Sequence, residues 1–501
     1  MPNPLFDALF AAGAPDSAAL EGQGVRWTYA DLAAEAARLH GALAALGVAP
    51  GDRVAVQTQK SPQALALYLA AVRAGAVYLP LNPAYTDAEL AYFVADAEPA
   101  LVVCDPSRED GVRALAGTAA TATLDAAGQG GLMRAAARAA PPGGPVGRSE
   151  EDLAAICYTS GTTGRSKGAM LTQRALLSNA LCLKDLWRFT PEDRLIHALP
   201  IYHVHGLFVA SHTALLAGAR LLFQAKFEPE AVLDAMTGAS VLMGVPTFYT
   251  RLLAHPGLDR AAASGMRLFI SGSAPLLAQT HEAFAARTGH RILERYGMTE
   301  TGMNASNPYE GERRAGTVGP PLPGVGLRIA EPLSGAALGP GEVGAIEVRG
   351  PNVCAGYWRN PEKTAEAFRE DGFFITGDLG YVDERGYVVI VGRDKDLIIS
   401  GGLNIYPKEV ETEIDALDGV EESAVIGLPH DDFGEAVTAV VVRQTSATLD
   451  EAEVLARLAD RLARFKQPKR VLFVEALPRN AMGKVEKARL RQDHHGLYRG
   501  S

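Results

Sequence analysis

The chain has 501 residues and a mass of 52.9 kDa, more than one hydrophobic core usually supports, so two or more domains are expected. A hydrophobic content of 48% and a charged content of 21% exclude a disordered or collagen-like protein. A net charge of -10 and a pI near 5.6 argue against general nucleic-acid binding.

The cysteines and the N-terminal region bear on cellular location. Four cysteines, at positions 104, 157, 182 and 354, have neither metal-ligand spacing nor a disulfide pattern, which fits a reducing cytoplasm. The first residues lack the basic region of a signal peptide. The most apolar stretch, residues 64–81, is interrupted by Arg73, Gly75 and Pro80. We therefore expect no membrane span and a cytoplasmic protein.

Helical and strand patterns alternate over the first 150 residues. The predicted elements, in chain order, are a helix over residues 28–46, a strand over 53–56, a helix from Pro62 with Ser61 as its cap, a strand over 101–104, and surface helices and loops over 108–150. Helices that repeatedly follow strands imply parallel sheets covered by helices.

A loop rich in glycine and hydroxyl groups, residues 158–168, follows a predicted strand over residues 153–157. Glycine leaves backbone amides open to a ligand, and such a loop can wrap a polyphosphate. It is not a Walker A loop, because Lys167 is followed by Gly168 and not by Ser or Thr. A flexible surface turn is the alternative, and the density of small and hydroxyl residues argues against it. The predicted ligand-binding residues are Thr159, Ser160, Gly161, Thr162, Thr163, Gly164 and Lys167.

Residues 151–330 contain three further segments that are candidates for a ligand-binding site. His203 and His205 stand at alternate positions before a glycine, which indicates a pocket wall; two histidines are too few for a metal site. A strand over 268–270 ends in small residues, and residues 292–295 lead into a second such segment. Small residues after parallel strands let a ligand approach the carboxyl ends of those strands.

The region 331–393 is predicted to be rich in β-structure. Residues 345–350 alternate as a half-buried strand should. Asp378 lies in a turn, and its carboxylate can accept two hydrogen bonds from a diol. The charge cluster at 393–396 marks the predicted boundary before a tail of about 107 residues, the size of a small domain. That tail is predicted to contain a helix over 409–418, strands over 424–427 and 439–442, and a terminal loop that carries Lys484.

These segments, taken in order, resemble the motifs of the adenylate-forming superfamily of acyl-CoA synthetases, adenylation domains and luciferases. The resemblance spans residues 28–487. It implies an α/β fold: a large N-terminal adenylation domain (1–393), with two helix-covered mixed β-sheets and a small β-barrel-like subdomain, and a small mobile α+β lid domain (394–501). It also implies two half-reactions, in which ATP first converts a carboxylate to an acyl-adenylate and a thiol then displaces AMP. The lid rotates between them.

The resemblance assigns roles to individual positions. It implies ATP, Mg²⁺ and coenzyme A as cofactor and cosubstrates, with Lys484, Thr299 and Glu300 as catalytic residues and Glu300 as the metal ligand. Asp394 matches the hinge, and Gly401 and Gly402 match the face that meets CoA. The remaining residues that match ATP-binding positions, besides the loop, are Gly272, Ser273, Ala274, Glu294, Arg295, Tyr296, Gly297, Met298, Thr299, Asp378 and Arg393.

Two arginines point to the acid that is activated. Arg251 and Arg295 flank the predicted acyl site, and a guanidinium fork fits a second carboxylate. Either arginine could instead pair with a structural acid such as Glu294. The motifs around them resemble those of malonyl-CoA synthetases. In that group the matching residues that hold the distal carboxylate of malonate or methylmalonate, or border its α-carbon, are His203, Val204, His205, Arg251, Ser273, Arg295 and Met303.

Three other functions stay open at this point. One is a synthetase for another short acid or an aryl acid, and a second is a free-standing protein that loads a carrier. A catalytically silent ligand-binding protein is disfavoured, because Lys484, Asp378 and Glu300 are all present. Small molecules are the expected partners, with no nucleic acid and no membrane. Acetylation of Lys484 is an expected modification, because it would remove the charge.

Overall fold

The computed structural model describes residues 2–140, 142–159, 166–401, 403–430, 432–445, 447–480 and 483–498. The chain divides into two compact units. The first contains Met1–Leu327 and Val348–Phe374, and the second contains Arg328–Glu347 and Ile375–Ser501. The boundary that we predict between residues 393 and 394 lies inside the second unit and stays a prediction.

Two mixed sheets form the first unit. Its strands are β1 (Ala18–Gly22), β2 (Val25–Thr28), β3 (Arg53–Gln57), β4 (Val77–Pro80), β5 (Leu101–Cys104), β6 (Ala120–Thr123), β7 (Leu153–Thr159), β8 (Lys167–Thr172), β9 (Arg194–His197), β10 (Arg220–Phe223), β11 (Val241–Gly244), β12 (Leu268–Ser271), β13 (Leu293–Met298) and β14 (Gly302–Ser306). One sheet has the order β6-β5-β3-β4-β7-β8 and the other β14-β13-β12-β11-β9-β10-β1-β2. Both are parallel except for antiparallel edge strands, β8 in the first and β2 and β14 in the second.

The helices of the first unit mostly follow strands, as the sequence predicted. They are α1 (Pro4–Ala11), α2 (Tyr29–Ala45), α3 (Pro62–Arg73), α4 (Asp87–Ala97), α5 (Glu109–Leu115), α6 (Gly131–Arg138), α7 (Gln173–Leu186), α8 (Ser211–Leu216), α9 (Pro229–Met236), α10 (Pro246–Ala254), α11 (Ala278–Thr288) and α12 (Pro361–Ala367). Thr28 and Asp31 form a capping box that begins α2, and Ser61 caps α3 with Pro62 at its first position. The fold class predicted from sequence, α/β with two mixed sheets, is confirmed.

The apolar stretch at residues 64–81 forms a helix and a strand of the core. Every residue of α3 except Gln63 is buried, and all of β4 is buried. A helix that is apolar on all sides belongs in a protein interior. Within the described ranges, no helix is both long enough and apolar enough to cross a membrane.

Two details of the predicted elements were wrong. Residues 108–150 contain a sheet strand, β6, which pairs in parallel with β5, where only helices and loops were expected. The strand predicted as half-buried over 345–350 is buried along almost its whole length. Glu347 can be buried there because the Arg328 side chain lies 2.8 Å from its carboxylate, so the charge is paired.

The second unit contains two smaller sheets. Its strands are β15 (Gly326–Ala330), β16 (Gly344–Arg349), β17 (Phe374–Val382), β18 (Val388–Arg393), β19 (Ile398–Ser400), β20 (Leu403–Ile405), β21 (Val420–His430), β22 (Gly434–Arg443) and β23 (Arg470–Val474), and its helices are α13 (Pro407–Asp415), α14 (Glu451–Leu458) and α15 (Lys487–His494). The first four strands, in order, form a sheet that falls mainly in this unit. The others form a sheet of order β20-β19-β22-β21, with β23 beside β22. β21 and β22 extend well beyond the predicted strands, because their antiparallel pairing continues to the connecting turn.

Two histidines of the first unit, the buried His212 and the half-buried His203, are held in a neutral form, which predicts sensitivity to acid. Burial lowers the pKa of His212 to about 3 and the pKa of His203 to about 4. In the unfolded chain both would bind a proton near pH 6.5, so stability is present above that pH and falls as the pH decreases toward the folded pKa.

We expect the free energy of unfolding at pH 5 to be lower than at pH 7 by about 2 kcal/mol for each of these histidines. Urea unfolding at the two pH values measures the difference. His212→Phe should remove about half of the effect of the pair, whereas the same change at the exposed His495 should leave it intact. Equal pH dependence in the His212 variant and the parent would contradict the prediction.

Candidate active site

The ends of the predicted phosphate loop form a β-hairpin. β7 ends at Thr159 and β8 begins at Lys167, and these two residues pair across the hairpin. The Tyr92 hydroxyl donates to the carbonyl oxygen of Ser166 over 2.6 Å and anchors the second arm. The predicted phosphate-binding residues between the arms, Ser160, Gly161, Thr162, Thr163 and Gly164, lie outside the described residues.

Glu300 lies beside the first arm of this hairpin. It is 5% exposed, and its Oε1 accepts hydrogen bonds from Thr159 Oγ1 at 3.2 Å and from the Tyr357 hydroxyl at 3.1 Å. Oε2 makes no hydrogen bond to a described residue, so this oxygen is available to a cation. Mg²⁺ is usually held by one or two carboxylates together with substrate phosphates, and one buried carboxylate at a phosphate loop fits that arrangement. Within the described chain no cluster of three His, Cys, Asp or Glu side chains could hold a metal ion by itself.

A π-helical turn, His205–Ala210, supplies the predicted pocket wall. Such turns are frequent at functional sites. His205 is buried; its Nδ1 lies 3.2 Å from Ser273 Oγ, and its Nε2 has no hydrogen-bond partner among the described residues. Burial, followed by the charge of Arg295, lowers the pKa of His205 well below its ordinary value. His205 is therefore a neutral wall residue with one ring nitrogen open to a ligand.

Arg295 is a buried cation at the same site. It is 2% exposed, and its Nε and Nη2 have no hydrogen-bond partner among the described residues. Burial lowers the pKa of Arg295 to about 9, while Tyr249 and Glu294 act in the opposite direction, so the guanidinium is still protonated at neutral pH. An unpaired buried donor costs about 1–3 kcal/mol, and more when it is charged. This arrangement is what an anion-binding site requires before its anion arrives.

The backbone after β12 makes room for this guanidinium. A Cβ at Gly272 would lie 2.4 Å from Arg295 Cζ, so a larger residue would displace the side chain. Ser273 has φ +73, in the left-handed region that non-glycine residues rarely adopt. A residue keeps a strained backbone conformation only where the surrounding structure holds it in place. Here the strained conformation accompanies the contact between Ser273 and His205.

The two predicted pocket arginines differ. Arg295 is buried, whereas Arg251 is exposed on α10. Met303 is buried, and Asn179 bonds both to its N–H, at 3.0 Å, and to its carbonyl, at 2.9 Å. Val204 and Thr299 line two small cavities. The first cavity is also lined by Tyr85, Cys157 and His203, and the second by Asn179, Phe208 and Gly302.

The predicted adenylate-binding residues of this unit come from two adjacent parallel strands. Gly272, Ser273 and Ala274 follow β12, and β13 carries residues 294–298 and ends just before Thr299. β12 and β13 pair in parallel, so their carboxyl ends lie at one edge of the sheet. Glu294 accepts a hydrogen bond from the N–H of Leu276 at 3.0 Å, which ties the loop after β12 to β13. The half-buried Gly297 and Met298 and the buried Tyr296 complete this edge.

Three residues of the second unit that are predicted to take part in nucleotide binding or catalysis, Asp378, Arg393 and Lys484, interact with one another. The Arg393 Nε lies 2.7 Å from Asp378 Oδ1, and these two residues pair across β17 and β18. Lys484 is half-buried, and burial, followed by the charge of Arg393, lowers its pKa to about 8, with Asp378 opposing the shift.

The predicted hinge and CoA-facing residues also lie in this unit. Asp394 is exposed in the short 3₁₀ turn Asp394–Asp396. Gly401 has φ +57 and donates its N–H to the carbonyl oxygen of Phe433 over 2.8 Å. Gly402 lies outside the described residues.

Comparison with known families places these features in context. The AMP-binding enzyme family matches residues 8–358, and the AMP-binding enzyme C-terminal domain matches residues 409–484. The chain belongs to the AMP-binding enzyme family. It is an AMP-forming acyl-CoA ligase, an acid–thiol ligase. Enzymes of this class use ATP, Mg²⁺ and CoA.

Individual members of the family resemble the chain over nearly its whole length. ATP-bound MatB from Rhodopseudomonas palustris is 59% identical, with a TM-score of 0.98 over all of both chains. A feruloyl-CoA synthase from an Amycolatopsis species is 39% identical over 95% of this chain and 96% of that protein. A malonate–CoA ligase from Arabidopsis thaliana is 36% identical over 89% of this chain and 78% of that protein.

Sequence reasoning did not single out one residue that contacts two of the predicted site residues. Tyr357 donates to Glu300, and its ring lies 4.3 Å below the Lys167 ammonium. No motif indicated it, because it lies 57 positions after Glu300 in an irregular segment. The one available signal was a pair of adjacent aromatic residues, Tyr357 and Trp358, in a region otherwise rich in small and polar residues.

Proposed function

We propose that the protein is an ATP-dependent malonyl-CoA synthetase. It activates malonate, and also methylmalonate, as an acyl-adenylate with release of pyrophosphate, and then transfers the acyl group to CoA to give malonyl-CoA and AMP. The observation that carries the proposal is the buried guanidinium of Arg295, whose Nε and Nη2 have no hydrogen-bond partner among the described residues, beside the neutral His205 and Ser273. The similarity to a malonate–CoA ligase supports it.

The charge balance of the pocket favours a dicarboxylic acid. A monocarboxylate uses its one carboxylate in the reaction, so it offers no acceptor to the Nε and Nη2 donors of the buried Arg295. The second carboxylate of malonate would accept from Nε and Nη2 of that guanidinium, in the bidentate geometry that arginine favours. His205 Nε2 would face the same carboxylate. Because His205 is neutral, it can orient this group without adding a second charge.

The chemistry of the first half-reaction explains the other predicted residues. A carboxylate oxygen bonds to the α-phosphorus of ATP while pyrophosphate leaves, so two anions must approach each other. In this proposal Lys484 supplies positive charge where the new bond forms. Glu300 is the residue that would hold the Mg²⁺ ion, which neutralises phosphate charge when bound. Asp378 and Arg393 would hold the ribose.

The second half-reaction forms the thioester. The CoA sulfur attacks the acyl carbon, and AMP leaves with the bonding electron pair. We propose that Gly401 and Gly402 face the thiol arm and that the chain turns about Asp394 between the two halves. Gly401 has the left-handed backbone that a larger residue would adopt only with strain.

Tolerance of methylmalonate would depend on the residues beside the α-carbon. Val204 borders both small cavities, so a methyl group placed against it has apolar surface to contact. Asn179 holds the backbone of Met303, the other residue that we propose to border the α-carbon. An aryl acid is the alternative that the similarity to a feruloyl-CoA synthase raises. A neutral aryl tail would leave Arg295 unpaired, which disfavours that alternative.

The test is release of pyrophosphate with ATP, Mg²⁺ and CoA across acetate, propionate, ferulate, oxalate, malonate, methylmalonate, succinate and sulfoacetate. We expect malonate and methylmalonate to give the highest kcat/KM, with the CoA thioester confirmed by mass. Preference for propionate or ferulate would refute the proposal and make Arg295 a structural residue. Adenylate without thioester would instead indicate a protein that loads a carrier.

Lys484 is also a proposed site of regulation. Acetylation would remove the charge on which adenylate formation depends. A Lys484→Gln variant, which imitates the acetylated side chain, should therefore lose adenylate formation to the same extent as Lys484→Ala. Parental activity in the Gln variant would rule this regulation out.

A further inference from the structure

We propose that Tyr357 is a positioning residue of the nucleotide site. Its hydroxyl orients the Glu300 carboxylate so that Oε2 faces the metal ion, and its ring holds the Lys167 ammonium at the edge of the phosphate loop. The inference rests on the proposed function only in its use of ATP and Mg²⁺, and not on the identity of the acid.

The hydrogen bonds of Glu300 are one-sided. Both described bonds end on Oε1, one from Thr159 and one from Tyr357. A carboxylate that accepts two bonds on one oxygen cannot rotate freely about its terminal torsion, so the other oxygen keeps one direction. Groups that hydrogen-bond to a metal-ligating carboxylate tune metal affinity in this way. The Tyr357 hydroxyl is therefore the second support of the carboxylate.

The aromatic ring of Tyr357 contacts the ammonium group of Lys167. The Lys167 Nζ lies 4.3 Å from the ring centroid, a distance typical of a cation–π contact. Lys167 is the first residue of β8, where the phosphate loop ends. A lysine side chain is long and loses much conformational freedom when it is fixed. The ring reduces that cost by holding the ammonium in place before ATP binds.

Tyr357 is itself rigidly held. It is 5% exposed, and its backbone N–H donates to Thr364 Oγ1 over 2.9 Å. The segment around it bonds to Glu300 and to the residue that follows Lys167: the Cys354 N–H donates to the carbonyl oxygen of Glu300 at 2.7 Å, and the Trp358 N–H donates to that of Gly168 at 2.8 Å. Because the backbone fixes Tyr357 relative to both, its side chain can set their positions.

Two substitutions separate the two contacts. Tyr357→Phe removes the bond to Glu300 and keeps the ring below Lys167, whereas Tyr357→Leu removes both. The control is Tyr29→Phe, which removes the buried hydrogen bonds of that hydroxyl to the carbonyl oxygens of Ala219, at 2.8 Å, and Leu215, at 3.5 Å, far from the nucleotide residues in sequence. Thermal unfolding of each variant establishes that it is folded.

The readout is nucleotide binding without any acid or CoA. Calorimetric titration gives the Kd of ATP in EDTA and the Kd of ATP in excess Mn²⁺, and the ratio of the two constants measures Mn²⁺ binding in the complex with ATP. We expect Tyr357→Phe to weaken Mn²⁺ binding roughly 10-fold while leaving the Kd for metal-free ATP unchanged. Tyr357→Leu should weaken both, and Tyr29→Phe neither.

Parental Mn²⁺ binding in Tyr357→Phe would overturn the role of the hydroxyl. Parental binding of metal-free ATP in a folded Tyr357→Leu would overturn the role of the ring. If Tyr357→Leu does not fold, Tyr357→Met, which fills more of the same space and also lacks the ring, replaces it, and parental binding of metal-free ATP in that variant would likewise overturn the role of the ring. Because no acid is present, failure of the malonate assignment would leave these results unaffected.

Discussion

Replacing Lys484 with alanine is expected to slow formation of the acyl-adenylate by about 10²–10³-fold, the usual cost of losing one preorganised group that stabilises developing charge. The second half-reaction, started from synthetic malonyl-adenylate and CoA, should continue near the parental rate, because no anion has to approach a phosphate in that step. The two halves are measured separately, as pyrophosphate release and as thioester formation. The exposed Lys363→Ala, which also removes one positive charge, is the matched control. Equal losses in both halves would contradict the assignment.

The pH dependence of adenylate formation provides an independent test of the same lysine. The pKa of Lys484 is lowered to about 8, first by burial and then by the charge of Arg393. Only the protonated form carries the charge, so the rate should be constant below this pKa and fall as the pH rises through 8. Arg393→Met removes a positive neighbour, so the break should move to higher pH whatever happens to the absolute rate. A break that stays in place would show that a different group titrates.

Much of the site could be predicted from sequence because its parts are local. Residues that follow β12 and β13 carry the small-residue pattern, and parallel pairing of those strands brings both segments to one edge without further information. Asp378 and Arg393 are separated by a single hairpin, so their pairing also follows from local structure. The presence of β6 and the burial of β16 were harder to predict. β6 was missed, and β16 was predicted as a strand but as half-buried, because pairing and packing partners and not composition decide these features.

The specific features of the site could not be predicted, because they depend on distant packing. Arg251 and Arg295 looked equivalent in sequence, yet one is exposed and the other is buried against Gly272. Tyr357 meets Glu300 and Lys167 only after the chain has folded, through a segment without a recognisable pattern. The burial of a side chain and the lack of partners for its donors depend on the folded structure and not on the local sequence. These are the properties on which the proposed choice of acid rests.

Replacing Arg295 with leucine should have opposite effects on activity and on stability. The kcat/KM for malonate should fall by about 10²-fold, because a hydrogen-bonded charge contact contributes about 1.5–3 kcal/mol. Stability should stay constant or rise, because the change removes a buried cation whose Nε and Nη2 have no partner in the described part of the chain and replaces it with an apolar side chain. Steady-state kinetics with malonate and propionate, and urea unfolding, measure the two effects. Arg251→Ala in the same assays tests whether the exposed arginine contributes.

The control for this experiment is an arginine whose three side-chain nitrogens all donate to backbone carbonyls. Arg287 donates to the backbone carbonyls of Leu253, His255 and Leu258 at 2.6–2.8 Å. Arg287→Leu should therefore lower stability by about 1–3 kcal/mol and leave the preference for malonate over propionate unchanged. If Arg295→Leu behaved in the same way, losing stability and keeping the preference, Arg295 would be a structural residue. Loss of malonate preference without loss of stability is the result that only a ligand-binding arginine explains.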